Sequence, residues 1–492
     1  MSPFVVLAAL AATAQIQTHA PTEAPDRPAV PQVDWAAEGC AAIEARAQVV
    51  PLTGPARNVV LMIADGMDIN TITAARILAG QRAGGPGEDH VLTIDTLPHT
   101  AFIKTYNVNA QVPDSAGTAT AILSGEKTRI GVVNVDASVE RGDCEGARGH
   151  RLRTLADIAA ARGMATGVVT TTRLTHATPA SLYASSPDRD WETDVDVPSN
   201  AACKDIARQL VDRAESLNLE VALGGGARGF LPRDAGGRRA DGRDLLAAWE
   251  AQGGVVARDR DALAAADDGP LLGLFADSHL DYDADRTDQP SLAEMARLAI
   301  ERLSTEEDGF FLLIEGGRVD HGHHAGNAAR ALTDMVAFDE AIRAVLDSVS
   351  TDETLVLVTS DHGHTLAIQG YPARGNPVLG IVRSDEEKPH DPVRAADGQP
   401  YTTLAYANGP GAAWMRRAEN GRPLVTDEEA QDTDYRQQSA IPAGSETHGG
   451  QDVPAFAIGP GAWVLGGVLE QNALHFVIVH ALDARRDPAG SR

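Results

Sequence analysis

Six short runs rich in Val, Leu and Ile recur along the chain, at residues 58–64, 165–170, 219–223, 271–275, 310–314 and 354–358. Runs of this length that are apolar throughout predict strands covered on both faces, the condition of a parallel sheet. Between them, residues 152–162, 203–214, 291–303 and 328–349 repeat apolar side chains at the helical period. Strands alternating with helices predict an α/β fold, a doubly wound and mostly parallel central sheet with helices on both faces. Residues 366–446 break the alternation with Pro, Gly and charge, and are expected to form a surface insertion outside the sheet.

Polar residues that can bind metals follow four of these runs. Asp65 follows the first, Thr171 to Thr178 the second, Glu315 the fifth, and Asp361-His362 the sixth. Open α/β sheets bind ligands just beyond the carboxyl ends of their strands. The densest segment is Glu315-Gly-Gly-Arg-Val-Asp320-His321-Gly-His323-His324. If the chain is helical there, Asp320 and His324 share a face, and an Asp with a His suits zinc. Such a pair alone is more often a solvated helix start, but this crowding of histidines beside a strand end favours metal. Asp65 by itself reads as the N-cap of a helix near residue 69; only convergence with the other ligands makes it functional.

Asp114-Ser115-Ala116-Gly117-Thr118 reads as a helix start, where small residues let backbone amides approach an anion. Ser115 would sit at the docked phosphate, and a serine there needs a base or metal to become a nucleophile. No G-x-S-x-G elbow surrounds it, which argues against an esterase. Arg189 could grip two phosphate oxygens, although a surface ion pair is the ordinary role for such a residue. His448, in Glu-Thr-His-Gly-Gly, is weak taken alone.

The balance of 42 Lys and Arg against 69 Asp and Glu, a net charge of −27, lacks the basic footprint of a nucleic-acid binder. An acidic chain that takes anionic substrates must create a local positive site, most simply with bound cations. Residues 1–14 read as an export signal with Ala12-Thr13-Ala14 as the cleavage site, and residues 15–31 as a flexible Pro-rich start to the mature chain. No later segment is long and apolar enough for a membrane anchor. Three cysteines fit an exported protein with one disulfide and one thiol left over; the spacing does not choose the pair.

Taken in order, the segments 60–66, 111–121, 170–179, 310–324, 359–362 and 446–452 resemble the motifs of alkaline phosphatases, above all the animal branch. The resemblance runs from about residue 33 to residue 481. It implies hydrolysis of small phosphate monoesters, with Ser115 as the phosphorylated nucleophile and Arg189 as the phosphate clamp. It implies two zinc ions and one magnesium ion per subunit. One zinc would use Asp320, His324 and His448, the other Asp361, His362 and Asp65, and magnesium Asp65, Thr178 and Glu315. His176 and His321 would lie just behind the magnesium and phosphate sites. Residues 32–365 and 447–485 would form the catalytic domain, with 366–446 a crown at the interface of a homodimer. The same resemblance pairs Cys144 with Cys203 and leaves Cys40 free. The chain departs from the family at Asp68, where glycine is usual, and at Ala276, where the animal calcium site needs a Glu. It also lacks a lipid-anchor tail, so the expected product is a bacterial enzyme in the periplasm or outside the cell. A sulfatase of the same superfamily would need a formylglycine motif, absent around Ser115. A phosphodiesterase would usually carry a threonine nucleophile and lack the Arg189 segment.

Overall fold

The structure, a computed structural model, describes residues 34–199, 203–384, 391–412 and 422–483; the export signal at 1–14 and the Pro-rich segment at 15–31 lie outside them. In chain order the strands are β1 (Asn58–Ala64), β2 (His99–Lys104), β3 (Ala165–Arg173), β4 (Leu219–Gly225), β5 (Val255–Ala257), β6 (Leu271–Leu274), β7 (Phe310–Gly316), β8 (Thr354–Thr359), β9 (Gly363–His364), β10 (Leu366–Ile368), β11 (Leu404–Gly409), β12 (Ser439–Pro442), β13 (His448–Gly449), β14 (Val453–Ile458) and β15 (Gly467–Glu470). Ten of them form one sheet in the order β15-β2-β14-β8-β1-β7-β3-β4-β6-β5. Only β14 runs against the rest, antiparallel to both β2 and β8.

Each predicted apolar run became a strand of this α/β sheet, for the predicted reason. Side chains alternate between its faces, so Val59, Leu61 and Ile63 enter one core cluster while Val60, Met62 and Ala64 enter the other. Helices Leu292–Leu303 and Ala328–Ser348 cover the second face, and helices Leu155–Ala160, Ile206–Arg213 and Ala473–Asp483 the first.

Four strands of the sheet were not anticipated. β2 has a mixed burial pattern, β5 and β15 are short, and β14 contains Pro454, a residue that argues against a central strand. The predicted helix at 152–162 is shorter, Leu155–Ala160, because Thr154 and Asp157 close a capping box on it. Among the described residues, none of the ten strands comes from 366–446; there β10, β11 and β12 form their own small sheet. Leu366, Val378, Leu404 and Tyr406 of that segment nevertheless pack into the second core cluster.

Cys144 is bonded to Cys203 with their Cα atoms 5.7 Å apart, and Cys40 is free and exposed. The bond closes a loop with a sequence separation of 59, for which loop-closure entropy contributes about 4 kcal/mol before any strain. A Cys144→Ser, Cys203→Ser variant is expected to unfold at clearly lower urea than the oxidised protein, and equal midpoints would show that the bond contributes nothing.

Candidate active site

Strand register builds the site. Ile63 of β1 is level with Glu315 of β7 and with Thr359 of β8, and Thr170 of β3 is level with Glu315. Two residues beyond that row, Asp65 and Asp361 leave neighbouring strands on the same side and, with His362, offer ligand atoms within 4.8 Å of one another. The turn between them needs glycine. Gly66 has φ +80°, its amide donates to Asp361 Oδ1 at 3.0 Å, and a Cβ there would lie 2.6 Å from the His364 ring. The residue that caps helix Ile69–Arg82 is Asp68, whose side chain accepts from the Thr71 amide. This corrects the capping reading of Asp65 and leaves both oxygens of Asp65 buried without a hydrogen-bond partner.

Ser115 is the first residue of helix Ser115–Ser124 and is 2% exposed. Asp114 caps that helix by accepting from the Gly117 amide at 3.1 Å, and Asn107 accepts from the Asp114 amide at 3.0 Å. The Asn107 amide lies where a Cβ of Gly117 would be, so the small residue lets Asn107 close over the turn. Ser115 Oγ is 3.3 Å from His362 Nε2. Arg189 donates to Asp114 Oδ2 at 3.0 Å and is 3.2 Å from His176 Nε2, so its guanidinium is held over the helix start.

Three groups of ligand-type side chains surround this serine. They are Asp320, His324, His364 and His448; Asp65, Asp361 and His362; and Asp65, His176 and Glu315. In the first group, His448 Nδ1 donates to the Pro113 carbonyl at 2.8 Å and His324 Nδ1 to the Glu446 carbonyl at 2.6 Å. Those bonds assign the proton to Nδ1 in each ring. The two Nε2 lone pairs therefore face each other at 3.0 Å, beside Asp320 Oδ1 at 3.2 and 3.4 Å. Three acceptors converging with no proton between them fit a cation, and backbone partners that orient ligand imidazoles are usual at metal centres.

The other two groups fit cations for a second reason. Asp361 Oδ2, Glu315 Oε1, Thr178 Oγ1 and His176 Nδ1 are also buried without hydrogen-bond partners, a costly state for polar groups unless something charged is bound. Burial first, then repulsion from Asp361, Asp320 and Glu315, pushes Asp65 well above the usual carboxylate range. Burial likewise raises Asp361, and raises Glu315 to about 7. Burial alone would raise Asp320 too, but the imidazoles of His324, His364 and His448 pull it well below its ordinary value.

All twelve residues singled out in the sequence lie in or against these groups. His176 offers a ligand atom within 4.8 Å of those of Asp65 and Glu315, and the Thr178 hydroxyl lies against Glu315. His321 lies with its ring 5.5 Å from that of His176. Sequence reasoning missed His364 and Glu446. His364 Nε2 is 2.8 Å from Asp320 Oδ1 and its Nδ1 is 2.6 Å from Glu446 Oε2. Burial opposes charge on His364, yet those two hydrogen bonds hold its pKa at about 10. A two-residue step from His362 was the signal available, since extended residues two apart share a face. His279 was missed as well; its ring is 4.3 Å from that of His321, and Arg173 donates to it.

A serine at a helix start beside three cation-fitting groups, at the carboxyl edge of a doubly wound sheet, is the arrangement of a metal-binding α/β protein. Residues 56–484 match the alkaline phosphatase family. The tissue-nonspecific alkaline phosphatase isozyme of Gallus gallus is 42% identical over 450 residues, covering 87% of this chain and 84% of that protein. The alkaline phosphatase of Gadus morhua is 40% identical over 452 residues, covering 87% and 91%. Among solved structures, the Thermus thermophilus alkaline phosphatase aligns with a TM-score of 0.64 at 27% identity, over 89% of this chain and 93% of that one. The chain belongs to the alkaline phosphatase family. It is a metal-dependent hydrolase of phosphate monoesters, and the family works through a phosphoserine. Among the described residues no helix is long and apolar enough to cross a membrane.

Proposed function

We propose that Ser115 is the nucleophile and carries the phosphoryl group between two in-line displacements. The observation that carries this reading is the Ser115 hydroxyl, buried at a helix start and 3.3 Å from His362 within a group of unpartnered carboxylates. The amides of Ser115 and Ala116 precede the first intrahelical bond, that of Gly117 being taken by Asp114, and they present an electropositive end to phosphate. Arg189, held by Asp114, offers its guanidinium to two phosphate oxygens at once. Low exposure of Ser115 limits competition from bulk water before phosphate binds. Zinc fits Asp320, His324 and His448, and a second zinc fits Asp361, His362 and Asp65, while Asp65, Thr178 and Glu315 offer magnesium hard oxygen donors. Bound there, such ions lower the pKa of a coordinated hydroxyl and offset charge on the leaving oxygen.

Release of phosphate from p-nitrophenyl phosphate, but not from a phosphodiester or a sulfate ester, and its loss to a chelator, is the test. Preference for the diester or the sulfate would overturn the reading.

Arg189→Ala is expected to lower kcat/KM by about 10²–10³, the scale for losing one transition-state donor. An unchanged kcat/KM would place Arg189 outside the reaction.

His176 makes the third site softer than an all-oxygen set, and imidazole suits zinc better than magnesium. His176→Asp is therefore expected to retain more magnesium than the unchanged protein after a zinc challenge, measured by metal analysis. Equal retention would show that His176 does not set the selectivity.

We infer further that the chain is exported to the periplasm or beyond, a reading supported by the disulfide and the signal-like first residues. A homodimer is supported by helix Trp35–Ala47, which buries none of its residues and leaves Trp35 and Ile43 exposed.

A further inference from the structure

Asp68 is 2% exposed. One of its oxygens, Oδ1, accepts from the amide and the hydroxyl of Thr71 at 2.8 and 2.9 Å. That is ordinary helix capping. The other, Oδ2, has work that capping does not require. It accepts from Gln451 Nε2 at 2.6 Å and from the His364 amide at 3.3 Å. The same Gln451 nitrogen also donates to the His364 carbonyl at 2.7 Å.

Gln451 lies across a particular rung of backbone. β9 and β13 pair antiparallel, with His364 opposite His448 and Gly363 opposite Gly449. A Cβ on Gly363 or on Gly449 would collide with the Gln451 amide, so the glutamine occupies the space that both glycines leave open. The next rung carries His364 and His448, two of the four side chains in the first metal group. Glu446 takes the opposite flank, accepting from the Thr365 amide at 2.7 Å and bonding the His364 ring. The ribbon bearing both histidines is thus fastened to helix Ile69–Arg82 through Asp68 and Gln451.

We propose that Asp68 is a positioning residue for the first metal group, fixing through Gln451 the ribbon that carries His364 and His448. Hydrogen bonds to an ionised carboxylate are short and strong. A clamp of this kind keeps the His448 Nε2 aimed at Asp320 and His324 when thermal motion would open the two-residue ribbon. The consequence is slow release of the metal rather than a change in the chemistry. The inference rests on the reading that this group holds a metal.

Asp68→Asn separates the two duties of the side chain. Its remaining oxygen can still cap Thr71, while its amide then meets the donors of Gln451 and His364. The test uses the enzyme reconstituted with cobalt, whose visible absorption reports each ligand set, and follows loss of the bands to a chelator. His448→Ala identifies the band of the first group by removing it. Asp68→Asn is expected to lose that band about 10–100-fold faster, the scale for outer partners of metal ligands. The other bands and the melting temperature of the metal-stripped protein should stay unchanged. Loss at the unaltered rate would overturn the proposal. So would equal acceleration of every band with a lowered melting temperature, since that marks a general structural role. If no band of the unaltered enzyme depends on His448, the metal reading of the first group fails, and this inference fails with it.

Discussion

Ser115→Ala is expected to leave a folded, metal-binding protein whose kcat/KM on a phosphate monoester falls by at least about 10³-fold. The hydroxyl is the only part removed. Ser115 is fully inside the helix start, its capping partner Asp114 bonds Gly117 rather than Ser115, and alanine is a good helix former. Folding stability should therefore change little, and inorganic phosphate should still bind to the helix start and Arg189. What disappears is the atom that takes the phosphoryl group, so acid quenching in the presence of labelled substrate should trap no phosphoprotein. Turnover near the unaltered rate, or a trapped phosphoprotein, would remove Ser115 from the nucleophile's place.

Asp65→Asn is expected to be nearly as severe, for a different reason. Asp65 belongs to two groups at once, with Asp361 and His362 on one side and with His176 and Glu315 on the other. Its two oxygens are buried without partners, so one negative charge would serve both cations of the proposed site. Asparagine keeps the volume but offers one neutral carbonyl and a donor that faces the wrong way. The variant should keep metal in the first group and lose it from the other two. Activity should fall by at least about 10³-fold, since both the coordinated hydroxyl and the charge compensation go. The repulsion among Asp65, Asp361 and Glu315 would also be relieved, so the metal-free variant should be more stable to heat than the metal-free unaltered protein. Full metal content in the variant would show that Asp65 is not shared. A metal-free variant of lower melting temperature would show that the crowding of carboxylates is not a strain on the fold.

The sequence was most legible where one local rule governed the outcome. The six apolar runs became strands because their composition allows only burial on both faces, and β1, β7 and β8 lie side by side at the centre of the sheet. Asp320 and His324 met because a helix of fixed pitch brings residues four apart to one face, giving the 3.2 Å contact. The strands β2, β14 and β15 were hidden because a strand of mixed burial, a proline-bearing strand and a short exposed edge strand carry little of that signal.

Chain chemistry alone thus determined the fold class and the kinds of ligand available, since strand burial, helix pitch and the affinities of Asp, Glu and His are local properties. Tertiary structure decided how those ligands were shared. Whether Asp65 or Asp68 caps the helix depends on where the chain turns at Gly66. Whether His448 joins Asp320 depends on β9 and β13 pairing across a gap of some eighty residues. Glu446 reaches His364 from the segment whose composition predicts a surface insertion. No local pattern encodes those meetings, because they follow from the register of one sheet and the docking of one short ribbon, which exist only once distant parts of the chain have packed.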